Sequence, residues 1–128
     1  MQLALIDEGR MQSIISTQLD RLVSAVQKTL GPHGKTICLQ QAGQFEPRLT
    51  KDGIPVARAV RFQDEAQVGS SLVQNALEKV DARAGDGTTS AAVFIKALYD
   101  SCGELLRSGK ITLPELRKQL EIGVRRAV

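Results

Sequence analysis

Apolar side chains recur every three or four positions over long stretches of this chain, and each such stretch predicts a helix. Between Gln12 and Leu30 they fall at Ile15, Leu19, Leu22, Val23, Val26 and Leu30, one stripe along a helical face. Gly31-Pro32 stops that helix, because proline cannot continue the hydrogen-bond ladder and glycine accepts the left-handed turn that often follows a helix end. A second stripe, Val68, Leu72, Val73, Ala76, Leu77 and Val80, predicts a helix over residues 64–84. Ala84-Gly85-Asp86-Gly87 breaks it. From Ala91 to Leu106 apolar residues lie nearly all round, the mark of a helix buried on most sides, with Gly103 and Gly109 weakening its end. Thr112-Leu113-Pro114-Glu115 then matches a capping box with proline in the first turn. Leu116, Leu120, Val124 and Ala127 follow at helical spacing, and the chain stops at Val128 in a way that reads as cut.

Shorter elements lie between these helices. Lys35 to Leu39 is partly β-branched, a polar stretch with Gly43 follows, and Arg48-Leu49-Thr50 comes next, which together predict two short strands around a turn. Asp52-Gly53 opens a short helical segment from Ile54 to Val60, with Pro55 tolerable only in its first turn. The pattern is that of a mainly α fold, a bundle of about four helices with a small β-hairpin. No internal repeat or linker divides residues 1–128, so one unit is expected.

Composition narrows the function. Of 128 residues, 42% are hydrophobic and 24% charged, which excludes a disordered or collagen-like chain. The longest apolar run, Ala91 to Ile95, is far short of the roughly eighteen residues a membrane span needs, so no membrane is expected. Met1 to Arg10 shows neither a signal-peptide nor a transit-peptide pattern. The net charge of +3 is interspersed, and the aromatics are only Phe45, Phe62, Phe94 and Tyr99. Without a basic stripe or stacking platforms, no nucleic acid is expected as a partner. Cys38 and Cys102 stand far apart and His33 has no partner at metal-ligand spacing, which reads as two free thiols in a reducing compartment. A cytoplasmic location is the resulting expectation.

Three glycine-containing turns carry the candidate chemistry: Thr29-Leu30-Gly31-Pro32, Thr50-Lys51-Asp52-Gly53, and Gly85-Asp86-Gly87-Thr88-Thr89-Ser90. In the third, glycines allow close backbone approach, the following helix offers unpaired amides, and the hydroxyls add donors, a set that suits a polyphosphate. Asp86 would repel bare phosphate but fits a bridging Mg²⁺. There is no Walker A loop. Taken singly, each turn is better explained as ordinary: a helix stop, a turn opening a helix, and an interhelical turn capped by Asp or Thr.

Taken together, Thr29 to Lys35, Leu49 to Arg58 and Ala84 to Ala91 resemble the three successive nucleotide-site segments of the group I chaperonins, in order and in separation. The resemblance extends from about Ala4 to Val128. It implies the N-terminal half of an equatorial domain, the ATP-binding, ring-forming part of a protein-folding machine. By that resemblance Thr29, Leu30, Gly31 and Pro32 line the nucleotide with Lys51 beside them. Asp86 coordinates Mg²⁺, and Gly87, Thr88, Thr89 and Ser90 hold the phosphates. Asp52 matches a catalytic carboxylate that positions the attacking water, and oxygens near Thr29 and Lys51 match a K⁺ site. Ser90 stands where the family usually has Thr, His33 where Lys or Arg is common, and Pro55 where a small residue is frequent.

The resemblance also implies what these residues do not include: an intermediate domain with a second hydrolytic Asp, an apical domain that grips unfolded proteins, and the returning equatorial half. The expected partners are other chaperonin subunits, with Lys35 to Thr50 either an oligomer contact or a solvated arm. One alternative stays open, a shortened, non-hydrolysing relative that docks onto complete subunits.

Overall fold

The computed structural model describes residues 7–40, 43, 45–60 and 66–128, with side chains omitted for 66–70. The tip of the predicted turn, at 41, 42 and 44, and the predicted helix start at Asp64 lie outside them. In chain order the elements are α1 (Glu8–Val26), a 3₁₀ turn (Gln27–Thr29), β1 (Ile37–Leu39), β2 (Arg48–Thr50), α2 (Gly53–Ala59), α3 (Ala66–Ala84), α4 (Thr88–Arg107) and α5 (Leu113–Ala127). The mainly helical fold with a small antiparallel hairpin is therefore as the pattern predicts. Its register pairs Ile37 with Thr50, Cys38 with Leu49 and Leu39 with Arg48.

Helix α1 starts earlier than its apolar stripe. The Asp7 carboxylate accepts the Arg10 N–H at 2.9 Å, satisfying one of the donors a helix start leaves free. At the other end the helix tightens into the 3₁₀ turn, and the Thr29 hydroxyl donates to the Val26 carbonyl at 2.6 Å. Gly31, at φ 78°, then bends the chain away.

By contact density the chain forms two compact units, Met1–Lys96 and Ala97–Val128. In the first, α1 packs on α2 and α3, and α2 also packs on α3 and β1. Leu19, Leu22, Val23 and Val26 of α1, Ile54, Val56 and Ala57 of α2, and Val73 and Leu77 of α3 are its buried apolar residues among those described, joined by Ala92. Burying a side chain of Leu or Val size contributes about 1.5–3 kcal/mol, so this stripe-on-stripe packing is what holds the three turns in place. An ion pair, Lys96 Nζ to Asp20 at 2.6 Å, ties the start of α4 to α1.

Two expectations for α4 change. It begins at Thr88, so Thr88-Thr89-Ser90 form its first turn: the Ala91 N–H already bonds the Gly87 carbonyl at 2.9 Å. It is also not buried on most sides. Only Thr88 and Ala92 are buried, while Phe94, Leu98 and Leu105 are exposed. Apolar composition sets what a helix would cover, but coverage requires a facing element.

In the second unit, α5 opens as predicted. The Glu115 carboxylate accepts from the Thr112 N–H at 2.9 Å and from its hydroxyl at 2.7 Å. Those bonds favour the charged form and hold the Glu115 carboxyl below the usual value, the hydroxyl contributing most. None of the described helices is long and apolar enough to cross a membrane.

Candidate functional site

A polar cavity of about 230 Å³ lies where the three turns meet. Its walls are Thr29, Leu30 and Gly31 from the first turn, Lys51, Asp52 and Gly53 from the second, and Asp86, Gly87, Thr88, Thr89 and Ser90 from the third. The structure thus brings together ten of the candidate residues read from the sequence and adds Gly53. Pro32 is exposed and outside the lining.

Each turn arrives by a local cause. The 3₁₀ end of α1 presents Thr29, whose single hydroxyl proton goes to the Val26 carbonyl. The Thr89 hydroxyl, 3.1 Å away, must therefore be the donor of the bond between the two threonines. This contact joins the end of α1 to the start of α4. In the second turn, the Asp52 N–H donates to the Thr50 hydroxyl at 3.0 Å, and the Asp52 carboxylate caps α2 by accepting the Ile54 N–H at 3.2 Å. In the third, the Asp86 carboxylate accepts the Gly87 N–H at 2.6 Å.

Gly53 lies outside the sequence-predicted set of lining residues, and the structure shows why glycine stands there. A β-carbon at Gly53 would collide with the Thr89 hydroxyl and lie 3.4 Å from the Thr89 nitrogen. The start of α2 consequently sits directly against the first turn of α4. Its presence in Lys51-Asp52-Gly53 was the available signal, but sequence alone did not reveal which neighbour it meets. Gly87, at φ 84°, makes the left-handed step that starts α4 inside the cavity wall.

The cavity's donors are of the kind that can take an anion. First-turn amides of a long helix lack intrahelical acceptors, and here they are accompanied by hydroxyls and the exposed Lys51. Asp52 and Asp86 oppose a bare anion. Among the described residues no group of three or more His, Cys, Asp or Glu side chains could hold a metal by itself. A larger hollow of about 610 Å³ runs along α5, but its floor is Leu113, Leu116, Leu120 and Val124 with flanking charges, an apolar helix face without convergent polar groups.

A helical scaffold thus gathers three glycine-containing turns around one polar cavity, the arrangement that the chaperonin resemblance leads one to expect. The sequence model of the TCP-1/cpn60 chaperonin family matches residues 22–128, and the chain belongs to that family. It is 36% identical to the mitochondrial chaperonin homologue Hsp-60 of Caenorhabditis elegans over 103 residues, 80% of this chain and 18% of that protein. With the mitochondrial chaperonin HSP60 of Trypanosoma cruzi it shares 37% over 92 residues, 71% of this chain and 16% of that one. Among solved structures, the chaperonin of bacteriophage EL, crystallised in the presence of ATP-BeFx, superposes with a TM-score of 0.69 at 34% identity. That match covers 78% of this chain and 18% of the phage protein. The chain therefore spans under a fifth of the length of these relatives.

The same comparisons correct the cytoplasmic expectation. Relatives from animal, protist, plant and fungal sources are named as mitochondrial chaperonins. Unpaired thiols report a reducing environment, which does not specify a compartment.

Proposed function

We propose that this chain is the phosphate-holding part of a chaperonin ATP site, the N-terminal half of an equatorial domain, and that it serves ATP-dependent protein folding within a subunit assembly. One observation carries the reading: three segments separated in sequence converge on one polar cavity. Its size sharpens the assignment. Pockets that enclose a whole small-molecule ligand measure about 300–1,000 Å³. A cavity of about 230 Å³ suits the phosphates with their metal, leaving the nucleoside to other parts of the relatives' longer chains.

The residues fit that group. The amides of Thr88, Thr89 and Ser90 and the hydroxyls of Thr88 and Ser90 bind phosphate oxygens, and Lys51 balances their charge. Asp86 keeps one carboxylate oxygen on the Gly87 N–H and has its second oxygen for a cation. Asp86 would hold Mg²⁺ there, and the ion would supply the positive charge that lets a carboxylate stand beside phosphates. Asp52, held by its cap to Ile54, orients a water at the cavity. K⁺ near Thr29 and Lys51 belongs to the same proposal.

The test is titration of Mg·ATP into the chain and its Asp86→Ala variant, with mass measured before and after. We expect binding that is lost on chelating Mg²⁺ and abolished by the substitution. Equal affinity in the two proteins would remove Asp86 from the site. Absence of nucleotide binding together with association onto complete chaperonin subunits would favour the docking relative instead.

A further inference from the structure

Helix α2 cannot hold itself in place. It has seven residues, among them glycine, proline and two β-branched side chains, and isolated helices of that length are unstable in water. Its N-terminal end carries Asp52 and Gly53 into the cavity. Their position is therefore set by whatever grips the helix from outside. Ile54, Val56 and Ala57 are buried and hold the helix by packing, but packing leaves its last carbonyls in need of a polar partner.

The directional grip is at the other end. A helix leaves its last carbonyls without partners, and at the end of α2 those of Ala57 and Val60 are met by a single side chain. Gln74, on α3, donates from Nε2 to the Ala57 carbonyl at 2.9 Å and to the Val60 carbonyl at 3.1 Å. One helical turn further along α3, Glu78 takes Arg58 Nε at 3.0 Å. Both of those side chains are well exposed, so that pair is the weaker restraint.

We propose that Gln74 is a positioning residue of the phosphate cavity. By holding the carbonyl of Ala57 in the last turn and that of Val60, the residue that caps the helix, it fixes the axial position of α2, and with it the placement of Asp52 and of Gly53 against Thr89. It does so without lining the cavity. A primary amide suits the task because one nitrogen carries two protons for two acceptors, whereas a carboxylate would confront both carbonyls with negative charge. The ligand consequence rests on the function proposed above, while the effect on α2 does not.

The experiment compares Gln74→Met, which removes the donors at similar length, with Gln74→Lys, which restores a donor head. Two readouts are taken: amide exchange at Ile54, whose N–H is held by Asp52, and Mg·ATP affinity. In Gln74→Met, Ile54 should exchange about tenfold faster while Leu22 and Leu77 are unchanged, and affinity should fall by a similar factor. Gln74→Lys should restore both. Unchanged exchange at Ile54, equal acceleration at all three amides, or failure of lysine to rescue would overturn the inference. So would faster exchange with undiminished affinity. If the unaltered chain binds no Mg·ATP, the proposed function fails, and the Ile54 readout still decides whether Gln74 positions α2.

Discussion

Helices α1 and α5 carry apolar stripes of similar regularity and meet opposite fates. Along α1, Leu19, Leu22 and Val26 are 1%, 2% and 0% exposed, because α2 and α3 supply facing surfaces. Along α5, Leu113, Leu120 and Val124 remain 58%, 42% and 64% exposed, and Leu116 is that helix's one buried residue. Period determines which face a helix would bury, and the presence of a partner determines whether it does.

The largest expected effect breaks the comparison directly. Leu22→Ala removes a fully packed side chain and should cost about 2–5 kcal/mol, whereas Leu120→Ala should stay within about 0.5 kcal/mol. Urea unfolding of both variants checks it, and equal losses would mean that the α5 stripe is covered in solution.

A smaller effect is expected at the seam between α2 and α4. Gly53→Ala places a methyl group against the Thr89 hydroxyl, which is already engaged with Thr29. Overpacking of this order costs about 1–3 kcal/mol. A thermal melt together with Mg·ATP affinity would show the loss, and an unaltered melt would mean that the seam is looser than drawn.

The smallest effect is in the second unit. Glu115 has its carboxyl held low by Thr112, so its contribution to α5 is present above the ordinary glutamate value of 4.5 and is lost as the pH falls through the lowered one. Circular dichroism between neutral and acid pH should show α5 fraying in that window. Glu115→Gln, which cannot ionise, should flatten that part of the profile.

Much of the site was legible because its residues are constrained by chemistry rather than by packing. Glycines, hydroxyls and carboxylates in Thr29 to Gly31, Lys51 to Gly53 and Gly85 to Ser90 announce turns wherever they occur. Their common destination was legible only through resemblance, since spacing alone favoured three ordinary turns. Gln74 was illegible altogether. On a helix of apolar period it reads as a solvated polar position, and its task exists only because α2 ends opposite it.

The amino-acid sequence by itself determined the helices, the hairpin, the capping of α5 and the family, because these depend on local period, turn chemistry and motif order. Tertiary structure decided which stripes are covered, that Thr88 to Ser90 belong to α4, that Gly53 abuts Thr89, and that one glutamine holds two carbonyls. Those are contacts between segments distant along the chain, and a local pattern carries no information about which surface will face it.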